Sequence, residues 1–162
     1  MLKKERIKPK KEDLIEFSGE HLYYEIWMFF SACKLLKKTE AGTPLYNALL
    51  ESAITHASIL IEFFYDSSSF PDTARASDYL KYPRAWKRLL PSYEQYFEVI
   101  HSRRNKELAH LSYDRLKVAP ENKRWSLSRI TNHLKRLVHL FLDNADKELL
   151  HSKMYDLRKE MD

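Results

Sequence analysis

Glycine is almost missing from this chain: Gly19 and Gly42 are the only two in 162 residues. Loops that cradle phosphates need several glycines close together, so Walker-type and Rossmann-type nucleotide sites are excluded. Scarce glycine and only six prolines instead favour long helices joined by short links. Cysteine is as scarce. Cys33 stands alone, which excludes an internal disulfide and any cysteine-based zinc site. Its neighbours Ala32 and Leu35 predict a buried thiol without chemistry. No segment shows period-two alternation with β-branched residues, and no repeat or low-complexity tract interrupts the chain. Gly-x-Ser-x-Gly and Cys–His arrangements are both missing, so a hydrolase nucleophile is set aside. Neither an HExxH nor a paired ExxH signature is present, which argues against a metal site.

Long apolar runs are also missing near the start. Met1 to Lys11 is basic, but Glu16, Glu20, His21 and Glu25 break the apolar stretch after it, so neither a signal peptide nor a membrane span is expected. The expectation is a cytoplasmic protein. Hydrophobic residues at 44% and charged residues at 31% describe a folded chain of one domain, residues 1–162. Residues 1–12 read as a basic arm, and 154–162 as a frayed helical tail.

Four long segments carry helical periodicity. The first spans about Asp13 to Lys38, with Leu14, Phe17, Leu22, Met28, Ala32, Leu35 and Leu36 on one face. Thr43-Pro44 starts the second, proline being well placed in a first turn. Its expected stripe is Leu45, Leu49, Ser52, His56, Ile59, Leu60 and Phe63. Ser67 to Asp78 reads as a loop, and a short helix from about Tyr79 to Leu90 ends at Pro91. The third long helix starts near Ser92, with Tyr93, Phe97, Ile100, Arg104, Leu108 and Leu111 at three- and four-residue steps. A link from Val118 to Arg124 leads to the fourth. Ser126 or Ser128 caps that helix, which carries Ile130, Leu134, Leu137, Phe141, Ala145 and Leu149. The predicted fold is all-α: an up-down four-helix bundle with a short extra helix before the third long one.

Net charge is +5. Between His101 and Arg124 there are seven basic residues (Arg103, Arg104, Lys106, Arg115, Lys117, Lys123 and Arg124) against three acids. More than half of the excess charge is concentrated there, compatible with a nucleic-acid partner and equally with a solvated helix end. Arg104 interrupts the apolar stripe of the third helix, and a guanidinium on such a seam needs a partner or a ligand. Glu25 and Glu51 are the candidate carboxylates. His110 lies six positions on, about 9 Å along an α-helix and about 120° around it. One straight helix therefore does not bring both groups to a common substrate. Either Arg104 reaches around, or the helix distorts, or a second copy completes the site. Arg103, seven residues from His110, shares its face. His21, Glu25 and His56 fall on apolar faces and predict a satisfied His–Glu core pair. His133, His139 and His151 read as surface or partly buried. The aromatic group Tyr79, Tyr82, Trp86, Tyr93, Tyr96 and Phe97 reads as packing rather than base stacking.

Arg104-Asn105-Lys106-Glu107-Leu108-Ala109-His110 resembles the signature of HEPN domains, four-helix bundles marked by an arginine, four to six intervening residues and a histidine. The polar follower Asn105 selects Arg104 over Arg103, which is followed by another arginine. The likeness spans the first to the fourth helix and is nearest to toxin and abortive-infection members. It implies a metal-independent endoribonuclease without cofactor, acting as a homodimer in toxin–antitoxin or phage-defence settings, with RNA as substrate and an antitoxin protein as partner. In that reading Arg104, Asn105 and His110 are catalytic. Arg103, Lys106 and Arg115 bind flanking phosphates, and Glu51 braces one of the arginines. Two other expectations stand beside it: a non-catalytic helical module that binds a protein or a nucleotide, and a metal-dependent bundle enzyme.

Overall fold

The computed structural model describes residues 6–68, 70–92, 100, 103–104, 113–117, 119 and 124–161. Among the described residues every regular element is helical and no strand occurs, as the sequence predicts. The first helical run is α1 (Lys11–Phe17), a π-helical segment Ser18–Leu22, and α2 (Tyr23–Leu36). It is followed by α3 (Pro44–Tyr65), a 3₁₀ turn Ala76–Tyr79, and α4 (Pro83–Leu89). After a 3₁₀ turn at Tyr113–Lys117 comes α5 (Leu127–Asn144), then 3₁₀ turns Lys147–Leu149 and Ser152–Tyr155 and a last turn, α6 (Leu157–Glu160). The third expected long helix falls mostly outside the described residues; of those described, Ile100 and Arg103 are α-helical and Arg104 is π-helical.

Local chemistry accounts for the boundaries. Thr43 caps α3: its Oγ1 accepts from the Tyr46 amide at 3.2 Å and donates to the Glu40 carbonyl at 2.8 Å, with Pro44 in the first turn. Gly42, at φ 84°, makes the left-handed turn that leads into it. Asp66, at φ 52°, ends α3 and sends its amide to the Glu62 carbonyl. Ser126, one of the two serines expected there, is the N-cap of α5.

α2 and α3 form the tightest pair, and α5 packs across both. Small residues Ala53, Ala57 and Ser58, each at most 2% exposed, let α3 approach closely. The phase of α3 differs from the expected stripe. Ala53, Ile54, Ala57, Leu60, Ile61 and Phe64 are buried, whereas Leu45 is 62% and Ile59 38% exposed. With apolar residues on most sides of this helix, periodicity alone underdetermines its inner face. α3 is also long and apolar enough to cross a membrane by length and composition, but its inner face is buried within the fold. Phe141 of α5 anchors the core, edge-on to Phe63, Phe64, Tyr79 and Trp86 at centroid distances of 5.6, 5.8, 5.7 and 6.2 Å.

The C-terminal tail is packed rather than frayed. Met154, Leu157 and Met161 are 0%, 1% and 9% exposed, because α5 stops at Asn144 and the chain turns back onto α2 and the π segment. The N-terminal arm is pinned as well: Ile7 donates its amide to Pro71, and Arg6 pairs with Asp78 at 2.5 Å.

Candidate functional site

Arg103 and Arg104 are the described part of the arginine–histidine segment, and both are half-buried. Arg103 is held by the entry to α5. Its guanidinium carbon stacks 4.0 Å over the Trp125 ring, and its Nη1 donates to the Arg124 carbonyl at 3.4 Å. Tyr65 makes the corresponding contact at the other end of this segment. Its hydroxyl donates to the Pro91 carbonyl at 3.1 Å and lies 2.9 Å from His133 Nε2, with the two rings stacked at 10°. A phenol has one proton, so with that proton on Pro91 the His133 Nε2 is the donor to Tyr65. His133 lies eight positions after Trp125 in α5, whereas Pro91 lies twelve before Arg103. Pro91 is thus held, through Tyr65, beside His133 of α5, and Arg103 beside Trp125 just before that helix.

Arg104 adopts π-helical backbone geometry, a distortion of the kind that a six-residue arginine–histidine spacing leaves open. Asn105, Lys106 and His110 lie outside the described residues. Arg115 falls in the 3₁₀ turn Tyr113–Lys117, where Tyr113 and Leu116 are 89% and 84% exposed. Glu51 is exposed on α3. Glu25, a candidate partner for Arg104, is engaged by His56: its Oε2 lies 2.6 Å from His56 Nδ1.

That Glu25–His56 pair is the satisfied core pair that the sequence predicts, and it ties α2 to α3. Its side chains are 23% and 12% exposed, and Tyr24 packs edge-on against His56 at 5.7 Å. Because a carboxylate only accepts, His56 Nδ1 is the donor. His21 stays outside the pair, exposed and tilted against Phe17 at 5.1 Å. Beside the pair an apolar groove of about 320 Å³ is lined by Phe17, Leu22, Glu25, Ile59, Phe63 and Ala74, among others. Among the described residues no three His, Cys, Asp or Glu side chains converge as metal ligands would.

Other expected positions are structural. Cys33 is a buried free thiol 3.6 Å from Thr131 Oγ1, and burial pushes its pKa up. Tyr79 and Trp86 are core residues at 0% and 1% exposure, whereas Tyr82 is 78% exposed. Tyr93, Tyr96 and Phe97 lie outside the described residues.

The π segment is what sequence reasoning missed. Ser18 Oγ accepts from the His151 amide at 2.8 Å, and Gly19 abuts the His151 side chain. The signal was there in Ser18-Gly19, a small polar pair inside an otherwise bulky helix. Compared with known proteins, the chain matches no family model, no curated protein and no solved structure.

Proposed function

We propose that this protein is a metal-independent endoribonuclease of HEPN type, and that the third long segment completes a four-helix bundle with the Arg104–His110 motif at a homodimer cleft. The observation that carries the reading is the motif itself, an arginine with a polar follower and a histidine six positions on, in a basic stretch of a helical chain. Beside it, Arg103 is engaged by Trp125 and the Arg124 carbonyl, which holds the start of the motif against the entry to α5.

RNA supplies its own nucleophile, so the protein needs only to move protons and stabilise charge. The 2′-hydroxyl oxygen attacks the adjacent phosphorus and loses its proton to a base. The bond from phosphorus to the 5′-oxygen breaks, and that oxygen takes up a proton. An imidazole gives and takes a proton near neutral pH, so His110 is suited to either transfer. Arg104 holds the phosphate bidentately and stabilises charge as the phosphorane forms. Asn105 orients the scissile phosphate or the ribose, and Lys106 and Arg115 hold flanking phosphates. The product ends are a 2′,3′-cyclic phosphate and a 5′-hydroxyl. Toxin or phage-defence activity, held in check by an antitoxin protein, is the biological setting proposed with it.

The test is cleavage of single-stranded RNA in EDTA by the wild type and by His110→Ala. Cleavage by the wild type alone, with cyclic phosphate ends, supports the reading. Equal cleavage by both, or none by a dimeric wild type across varied RNA sequences, sinks it in favour of a non-catalytic helical module.

A further inference from the structure

From Tyr79 to Ser92 the chain carries Lys81, Arg84, Lys87 and Arg88 and no carboxylate. The middle of this stretch is α4, whose rotation is set by one residue. Trp86 is 1% exposed, and its Nε1 donates to the Phe64 carbonyl at 2.8 Å. Phe64 lies in the last turn of α3, where carbonyls lack helical partners, so this bond satisfies both groups. At about 100° per residue, an inward Trp86 puts Tyr82, Ala85 and Leu89 on one flank and Arg84 and Arg88 on the outward crest. The flank is seen directly: Tyr82, Ala85 and Leu89 line a groove of about 530 Å³, with Asp143, Asp146 and Glu148 on its other wall.

Those carboxylates are already engaged. Asp143 pairs with Arg158, Asp146 with Lys81 at 3.7 Å, and Glu148 with Lys11 at 2.8 Å. Arg84, Lys87 and Arg88 are exposed, and among the described residues none of the three has an ion pair or hydrogen bond. Arg84 and Arg88 are four apart on one face, with Cβ atoms about 6 Å from each other. Like charges at that spacing repel, and a phosphate bound between them relieves the repulsion while accepting charge-assisted hydrogen bonds. Tyr82, 78% exposed on the flank of the same segment, offers an aromatic face on which a base can stack.

We propose that α4 is a docking surface for single-stranded nucleic acid, with Arg84 and Arg88 on the phosphate backbone, Lys87 adding charge and Tyr82 stacking on a base. An anionic membrane fits less well. An interfacial helix inserts a broad apolar face, and in this seven-residue helix Trp86 is taken up by the core, which leaves Leu89, 45% exposed, as the one bulky aliphatic side chain at its surface. The surface involves neither Arg104 nor His110 and stands whether or not they cleave RNA.

The experiment is fluorescence anisotropy with a single-stranded 2′-O-methyl oligonucleotide, which lacks the 2′-hydroxyl and is not cleaved, titrated at several salt concentrations. Wild type is compared with Arg84→Gln/Arg88→Gln and with a charge-matched control, Lys37→Gln/Lys38→Gln, at exposed sites beyond α2. Thermal melts establish that both variants are folded. The arginine variant is expected to bind about tenfold more weakly near physiological salt. Its plot of log affinity against log salt flattens by about 1.4, since each lost contact to a single strand removes about 0.7 from the slope. The lysine control leaves the slope unchanged. An unchanged slope in the arginine variant, an equal loss in the control, or binding to anionic vesicles without binding to the oligonucleotide overturns the proposal.

Discussion

Gly19 is where a single atom decides the most. A Cβ there would stand 2.6 Å from His151 Cγ and 2.9 Å from His151 Cβ. Because His151 Cβ is fixed to its backbone, a rotamer change does not relieve the contact. Alanine in a helix interior gains up to about 1 kcal/mol over glycine. The clash costs about 1–3 kcal/mol and also loosens the Ser18 Oγ bond to the His151 amide. Gly19→Ala is therefore expected to lower the melting temperature and to expose residues 147–161 to limited proteolysis; an unchanged melt and digest would show that this close approach is dispensable. Burial acts on Cys33 and Tyr79, and both pKa values are pushed up in the fold. Both groups stay neutral in the folded chain while the unfolded chain ionises at ordinary values, about 8.5 for the thiol and about 10 for the phenol. Their contribution is thus fully present below those values and is lost as pH rises from them through the raised values of the fold. Urea unfolding followed from pH 7 to pH 10 (an alkaline series on the order of three units) should show falling stability, and Cys33→Ala should remove the earlier part of the fall. A flat profile in the wild type would contradict this.

At the scale of elements, what was legible were the signals that act over one turn. Thr43-Pro44 marks the start of α3, Ser126 marks the start of α5, and the 3.6-residue stripe of Ile130, Leu134, Leu137 and Phe141 faces the core as expected. What was not legible depends on tertiary partners. The π segment Ser18–Leu22 widens one turn, so a face read straight through it drifts: Leu35, expected inside, is 51% exposed, whereas Ile26 and Phe29 are buried. The tail reads as frayed in the sequence because Met154, Leu157 and Met161 only gain their value against α2. Of the candidate site, the Glu25–His56 pair was legible from two polar residues on apolar faces, but not which histidine would join it. α4 depends on one indole. Trp86→Ala removes its buried ring and its bond to the Phe64 carbonyl, at a cost of about 3–5 kcal/mol. Urea denaturation should show the midpoint falling accordingly; a loss under about 1 kcal/mol would mean that α4 is held by other contacts.

For the whole molecule, the chemistry is proposed for two chains. Six residues on an α-helix turn by about 120°, so Arg104 and His110 of one straight helix do not meet one phosphate. A two-fold dimer offers Arg104 of one protomer to the His110 of its partner. Mixing two inactive variants reads this directly. Arg104→Ala retains the histidine, His110→Ala retains the arginine, and a mixed dimer holds one complete site. After co-refolding in equal amounts, with EDTA present, the mixture should recover about a quarter of wild-type RNA cleavage, half of the dimers being mixed and each carrying one of two sites. Cleavage no greater than that of either variant alone would contradict a site shared between two chains.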